Sequence, residues 1–100
     1  MELSTTFRDM EAFTRRLQDH ICNGLEAFEP IQKFQQDIWQ RDQGGGGWTR
    51  ILSGGETFGK AGVNISSIHG DMTTELAGQL MVEEGFFGAC GLSLVSHPKS

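Results

Sequence analysis

The sequence is short of cysteine and of long apolar runs. No stretch approaches the roughly 20 consecutive apolar residues that a membrane-spanning helix needs, and the N-terminus lacks the charged and then apolar segments of a secretory signal. These absences predict a soluble, cytoplasmic protein with no membrane span. The two cysteines, Cys22 and Cys90, lack CxxC spacing, which argues against a disulfide scaffold or a cysteine metal cage. We interpret both as small buried apolar residues.

Basic residues are also few. Eight Lys and Arg stand against 13 Asp and Glu, for a net charge of -5, and the basic residues are scattered along the chain. Because non-specific nucleic-acid affinity comes from clustered Lys and Arg, we predict that nucleic acid is not a partner. The histidines His20, His69 and His97 show no metal-ligand spacing such as HExxH.

Glycine, by contrast, is abundant. The chain has 14 glycines in 100 residues, about twice the usual frequency of roughly 7%. Most of them lie in residues 39–70, WQRDQGGGGWTRILSGGETFGKAGVNISSIHG, where glycine clusters separate short β-like runs. We expect the rest of the chain to be organised around this stretch. A chain of this length forms one small domain or part of a larger one.

Apolar residues recur every three or four positions over residues 5–28, which is the period of one helical face. The pattern predicts an amphipathic helix, with Ser4, Thr5 or Thr6 as N-cap and with Pro30 preventing its continuation. The face that we expect to be buried consists of Phe7, Met10, Phe13, Leu17, Ile21, Leu25 and Phe28. A sheet built from the following segments is the expected packing partner.

Alternating patterns and β-branched residues predict several strands. The predicted strands are residues 34–40, 48–53, 63–69 and 86–97. We expect a loop at residues 42–47, a tight hairpin turn at residues 53–55 and a bulge at Gly62. A second helix is predicted over residues 72–84, with Asp71 as its cap and Gly85 as its terminator. The fold class is therefore α+β, an antiparallel β-sheet flanked by helices.

The four glycines at residues 44–47 admit several interpretations. They suit a flexible linker or plain loop, a backbone nest for an anion, or a loop lying flat against a ligand. Arg41 and Arg50 flank the run, and guanidinium groups beside exposed amides would suit a substrate with carboxylates.

Ser93 and His97 fall on the same face of the last predicted strand, because strand side chains alternate with a period of two residues. Four residues at roughly 3.3 Å each separate them by about 13 Å, which is too far for a Ser-His nucleophilic pair. Both could line the floor of one cleft. His97 is otherwise a surface histidine.

The ordered motifs together resemble one enzyme family. FQQDIWQRDQGGGG, WTRILSGGETFGKAGVNISSIHG and CGLSLVSHPKS, together with the helix segment LQDHICNGLE, are similar to the opening part of oxygen-dependent coproporphyrinogen-III oxidase. The resemblance extends from about Phe13 to the last residue.

The resemblance implies an enzyme of haem biosynthesis. The family oxidatively decarboxylates two propionates of coproporphyrinogen III to vinyl groups, giving protoporphyrinogen IX. Dioxygen is the acceptor, and no organic cofactor takes part. The implied fold is a large antiparallel sheet flanked by helices, working as a homodimer with the tetrapyrrole in a deep cleft. Residues 1–100 would be a single partial domain, the N-terminal part of this fold.

Two site residues follow from the resemblance. The serine of GxSLV, which contacts substrate in the family, corresponds to Ser93. The histidine of HPK, which is associated with a metal in some members, corresponds to His97, so a divalent metal stays open. The sequence departs from the family at Gly59, where Glu or Gln usually precedes Lys60, beside an expected dimer contact.

The family's proton-donor histidine, and the Asp and Arg residues that handle the pyrroles, belong to segments that follow the HPK motif. We therefore expect no catalytic residue in these 100 residues and no oxidase activity from them alone. Two functions stay open: part of the oxidase, or a non-catalytic module that binds tetrapyrrole or pairs with itself through residues 51–60. An in-frame continuation into a PTxHxNxRYF-like segment would exclude the module.

Overall fold

The computed structural model describes residues 4–71, 73–81 and 86–99. Its elements in chain order are helix α1 (Thr5–Glu26), strands β1 (Gln35–Gln40), β2 (Gly45–Ser53) and β3 (Phe58–Asp71), helix α2 (Thr74–Leu80) and strand β4 (Phe86–Pro98). The strands form one four-stranded sheet in the order β1-β2-β3-β4, with every neighbouring pair antiparallel. The predicted α+β fold class is confirmed.

Helix α1 begins where the sequence predicts and ends two residues earlier. The Ser4 hydroxyl caps it by accepting a hydrogen bond from the Phe7 backbone N–H at 3.1 Å. After Glu26 the chain leaves the helix through a turn in which the Glu29 N–H donates to the Glu26 carbonyl at 3.1 Å. No helix in the described part of the chain is long and apolar enough to cross a membrane.

The buried face of α1 differs from the predicted one. Its buried residues are Thr14, Gln18 and Cys22, one turn apart, whereas Met10 and Phe13 are 46% and 50% exposed. The helix is therefore rotated relative to the predicted apolar stripe, with a largely polar line against the sheet.

Hydrogen bonds explain this rotation. The Gln18 amide nitrogen, Nε2, donates to the Trp48 carbonyl at 2.9 Å and to the Val63 carbonyl at 3.0 Å. The Thr14 hydroxyl lies 3.4 Å from the Cys90 sulfur. Cys22 is buried as predicted, and burial raises the pKa of its thiol; Cys90 is half-buried. Polar contacts, as well as apolar burial, thus fix α1 on the sheet.

The sheet has one covered face and one open face. The covered face, packed against α1, contains the buried side chains Leu52, Ala61, Val63, Ile65 and Ser67. The opposite face, called here the open face, includes Gln35, Asp37, Trp39, Gly47, Thr49, Ile51, Lys60, Gly62, Asn64, Ser66, Gly91, Ser93, Val95 and His97. All of these are exposed or half-buried except Gly47.

The predicted loop at residues 42–47 is only half correct, because the last three glycines belong to β2. Gly47 pairs with Trp39 across the strands, and a Cβ atom at this position would overlap the Trp39 indole ring and the Ile65 carbonyl oxygen. The close approach of that ring requires glycine in the strand.

The predicted bulge at Gly62 is wrong. Gly62 pairs regularly with Ile51 in β2 and with Val95 in β4. The one irregularity of the β3–β4 register lies between Phe58 and Lys60. It follows the hairpin loop directly, where the pairing begins.

The β2–β3 hairpin forms where predicted, and the buried Glu29 carboxylate anchors it. Glu29 accepts backbone hydrogen bonds from Glu56, Thr57 and Phe58 in the hairpin at 2.9 to 3.1 Å. It also accepts from Ile31 and Gln32 at 3.0 and 3.1 Å. The contact ties the segment after α1 to the hairpin loop.

Helix α2 is shorter than predicted and begins at Thr74. Asp71 is the last residue of β3, so it does not cap the helix as expected. The predicted start at Met72, end at Glu84 and terminator Gly85 lie outside the described residues. Ala77 is buried on the described part of α2.

Candidate functional site

A row of polar side chains crosses the open face. Asp37 in β1 lies opposite Thr49 in β2, Thr49 opposite Asn64 in β3, and Asn64 opposite Ser93 in β4. Directly opposed residues in antiparallel strands have Cβ atoms about 4.5–5.5 Å apart. These four residues, called here the polar row, therefore form a continuous band across the sheet.

Hydrogen bonds connect the middle of the polar row. The Trp39 indole nitrogen, Nε1, donates to Thr49 Oγ1 at 3.1 Å, and Thr49 Oγ1 donates to Asn64 Oδ1 at 2.5 Å. The Asn64 amide nitrogen, Nδ2, then donates to Ser66 Oγ at 3.3 Å. Because an indole N–H is only a donor, the Thr49 hydroxyl accepts from it and gives its own proton to Asn64. The network thus has one direction, from Trp39 to Ser66.

Small residues lie on both sides of the polar row. Gly47 and Gly91 occupy the row on one side, and Gly62 lies in the row on the other side. A hollow of about 250 Å³ at the Ser93 end is lined by Asn64, Ser66, Gly91, Leu92 and Ser93. The open face therefore has low positions at Gly62 and Gly91 beside a line of hydrogen-bonding groups.

A second and larger cavity of about 430 Å³ includes Glu11, Arg41, Trp48, Ser67 and His69 in its lining. Several of these groups are engaged with neighbouring structure. Ser67 Oγ donates to the Glu11 carboxylate, and Arg41 Nη1 donates to the Gly44 and His69 carbonyls at 3.2 and 3.1 Å. This cavity contains neither of the two predicted site residues.

The structure places the predicted site residues, Ser93 and His97, on the same face of β4, as their spacing indicated. Ser93 is exposed at the end of the polar row. His97 is exposed four residues further along and lies opposite Lys60. Among residues 4–71, 73–81 and 86–99, no group of three or more His, Cys, Asp or Glu could hold a metal ion. The neighbours of His97 described here therefore do not complete a metal site.

The two arginines beside the glycine run do not reach the open face as a carboxylate clamp. Arg50 lies on the covered face, where its guanidinium contacts the Asp19 carboxylate at 2.6 Å and Gln36 Oε1 at 2.8 Å. Arg41 holds the turn at residues 41–44 through the carbonyl contacts described above. The interpretation of this pair as a substrate site is not supported.

Trp39, Thr49 and Asn64 are members of the site that sequence reasoning did not single out. Alternation in the segment NISS already places Asn64 and Ser66 on one face of a strand. The missing information was the register, which brings Asn64 opposite both Thr49 and Ser93.

Comparison with known proteins identifies the family. The chain matches the family model described as Coproporphyrinogen III oxidase over residues 9–100. It is 41% identical over 87 residues to the oxygen-dependent coproporphyrinogen-III oxidase of Prochlorococcus marinus subsp. pastoris, a match that covers 85% of this chain and 25% of that protein. The chain thus spans about a quarter of this curated relative, and the whole polar row lies within residues 9–100, which match the family model. The predicted resemblance is confirmed: the chain belongs to the coproporphyrinogen III oxidase family.

Proposed function

We propose that the open face binds coproporphyrinogen III within an oxygen-dependent oxidase of haem biosynthesis. In the proposed reaction, each of two propionates loses its carboxylate as CO2. The same side chain transfers a hydride equivalent, which dioxygen accepts, and a vinyl group is left. The product is protoporphyrinogen IX, and no organic cofactor takes part. The observation that carries this proposal is the polar row, which ends at Ser93 on an exposed, glycine-lined face in a member of this family.

The shape of the open face supports a broad ligand. Gly62 and Gly91 keep the floor low on either side of the polar row, whereas the Trp39 ring covers Gly47. A tetrapyrrole has a large apolar surface that can lie on such a floor. Its carboxylates, at the periphery, can accept hydrogen bonds from donors on the protein. The Ser93 hydroxyl supplies such a donor.

Charge on the open face favours carboxylates at the Ser93 end. Lys60 and His97 lie opposite each other, four residues along β3 and β4 from Asn64 and Ser93, whereas Asp37 lies at the far end of the polar row. The chain as a whole carries a net charge of -5, so a local cation is needed to attract an anionic periphery. We propose that propionates point toward Lys60.

Ser93→Ala in the intact protein tests the substrate site. Loss of a hydrogen bond to a charged group costs about 1.5–3 kcal/mol, so we expect KM for coproporphyrinogen III to rise roughly 10-fold or more, with unchanged circular dichroism. Ser96→Ala is the matched control, because Ser96 is exposed on the other face of the same strand. Unchanged kinetics for Ser93→Ala, or equal losses in both variants, would contradict the assignment.

We also propose His97 as a metal ligand, completed by donors from outside the described residues. A single imidazole does not hold a divalent ion, and Lys60 opposite it adds an unfavourable charge. Elemental analysis of the intact protein should find close to one metal ion for each chain, and the His97→Ala variant should lack it. A metal-free active protein would make His97 a surface residue.

A non-catalytic module that binds tetrapyrrole or dimerises is the second candidate. It is favoured by the position of β4 at the edge of the described sheet, where its outer backbone groups are available to pair with another chain. We propose a homodimer for either candidate, and gel filtration tests it. Turnover of coproporphyrinogen III by the intact protein separates the enzyme from the module.

A further inference from the structure

We propose that Asn64 binds a carboxylate of the tetrapyrrole together with Ser93, and that Thr49 and Trp39 are positioning residues for its amide. The inference rests on the proposed function of the open face. It assigns the donor group beside Ser93 and gives a role to Gly47 in β2.

The orientation of the Asn64 amide is fixed by its neighbours. Its oxygen, Oδ1, is occupied by the Thr49 hydroxyl at 2.5 Å, and that hydroxyl is held by the Trp39 indole N–H at 3.1 Å. The amide nitrogen consequently points away from Thr49, toward Ser66 Oγ at 3.3 Å. An amide held in this way has one N–H on Ser66 and a second N–H that can donate to a ligand.

Asn64 and Ser93 are placed to act on one group. They are directly opposed in β3 and β4, and both line the hollow of about 250 Å³ together with Ser66. Cross-strand neighbours have Cβ atoms about 4.5–5.5 Å apart, which allows two donors to reach the two oxygens of one carboxylate.

The glycine run explains how Trp39 is held. Any side chain at Gly47 would overlap the Trp39 ring, so the ring lies against bare backbone and its N–H reaches Thr49. The sequence of contacts is therefore Gly47, Trp39, Thr49, Asn64, all on one face of the sheet.

Asn64→Asp in the intact protein tests the donor role by reversing the polarity of one group. The variant keeps the size of the side chain and the oxygen that accepts from Thr49, but it replaces the amide donor by a carboxylate oxygen. We expect binding of coproporphyrin III, measured by fluorescence titration, to weaken about 10-fold to 100-fold, the range for a hydrogen bond to a charged group. Binding of the tetraamide of coproporphyrin III, whose amides can donate to the new carboxylate, should hold or improve.

Asn23→Asp is the control, because Asn23 is exposed on α1 and the substitution adds the same charge. It should leave both titrations unchanged. Equal affinities of Asn64→Asp and the unsubstituted protein for coproporphyrin III would overturn the inference. The inference would also be overturned if Asn64→Asp weakened the binding of coproporphyrin III and of its tetraamide equally, because a donor role requires discrimination between the two ligands.

Thr49 provides a test that does not alter Asn64. Thr49→Val removes the hydroxyl that orients the amide, and we expect coproporphyrin III to bind about 2-fold to 10-fold more weakly, the range for a neutral hydrogen bond. Thr49→Ser keeps the hydroxyl and should restore the affinity. Equal affinities of the valine and serine variants would remove the positioning role.

The same titrations separate this inference from the proposed function. If the unsubstituted intact protein does not bind coproporphyrin III, the proposed function fails. If it binds and Ser93→Ala weakens binding while the Asn64 and Thr49 variants bind normally, only the further inference fails.

Discussion

At the scale of single residues, Glu29 makes the most concentrated set of contacts in the described chain. Its side chain is 3% exposed and its two oxygens accept five backbone hydrogen bonds from the segment after α1 and from the β2–β3 hairpin. Burial alone would raise its pKa. The N–H donors of Ile31, Phe58, Glu56 and Thr57 outweigh that effect and lower the pKa to about 2, from an ordinary value of 4.5.

This lowered pKa predicts a pH-dependent stability. The ionised carboxylate stabilises the fold fully above pH 4.5, and the contribution is lost progressively as the pH falls toward 2, since the unfolded chain takes up the proton first. We expect Glu29→Gln to lower the urea midpoint at neutral pH, because an amide presents N–H groups to N–H donors. The stability of the variant should also decline less than that of the unsubstituted protein as the pH falls below 4.5.

Glu56→Gln is the matched control for this prediction. Glu56 is exposed in the same hairpin, and only its backbone N–H takes part in the Glu29 contact. Urea denaturation of the three proteins between pH 6 and pH 3 measures the effect. Identical pH profiles for the unsubstituted protein and Glu29→Gln would contradict the account.

At the scale of elements, the docking of α1 depends on Gln18. Its side chain is 2% exposed and Nε2 donates to carbonyls of both β2 and β3. Gln18→Leu preserves the volume approximately and removes the donor. We expect it to lower the free energy of unfolding by about 1–3 kcal/mol, the cost of leaving buried carbonyl groups without this partner. Chemical denaturation measures the loss.

Gln79→Leu serves as the control, because Gln79 is exposed on α2. It should change stability by less than about 0.5 kcal/mol, as is usual at surface positions. If Gln18→Leu were as stable as this control, the hydrogen bonds of Gln18 would not be what holds α1 on the sheet.

The rotation of α1 shows where sequence patterns stop being sufficient. The three-to-four period correctly predicts the helix, but the apolar residues form a stripe that includes Met10 and Phe13, which are about half exposed. The face that packs is decided by carbonyls of β2 and β3 that meet Gln18. The sheet therefore determines which face of α1 is buried, and the periodicity of the helix alone does not specify it.

The glycines of β2 show the same limit. A run of four glycines has no intrinsic strand preference, so a loop was the natural expectation. The strand extends through Gly45–Gly47 because β3 pairs with all three glycines and β1 pairs with Gly46 and Gly47. The candidate site follows this division: the period of two placed Ser93 and His97 on one face, whereas the polar row required the cross-strand register.

At the scale of the whole molecule, the sheet is covered by α1 on one face only. The Cα radius of gyration is 16.6 Å, above the roughly 13 Å of a compact 100-residue domain. Large apolar side chains remain exposed, namely Met10, Phe13, Phe28, Ile31, Ile38, Ile51, Met81, Leu94 and Val95. The described residues thus supply the floor of the proposed tetrapyrrole site and present surfaces on which further structure can pack.

The proposed function requires that the open face, and not the covered face, meets the tetrapyrrole. The two tryptophans of this chain lie on opposite faces, Trp39 on the open face and Trp48 on the covered one beside Arg15, whose guanidinium lies 4.2 Å from the indole centroid. Both residues also line the cavity of about 430 Å³, but the Trp39 indole N–H donates to Thr49 on the open face, so its resonance reports on that face and the Trp48 resonance on the covered one. Trp39→Phe and Trp48→Phe assign them in the spectrum of the intact protein.

The most direct measurement is a titration of the ¹⁵N-labelled intact protein with coproporphyrin III, following these two resonances. A macrocycle on the open face should shift the Trp39 signal strongly through its ring current and leave the Trp48 signal nearly in place. A larger shift of the Trp48 signal, or saturable binding that moves neither signal, would contradict binding at the open face.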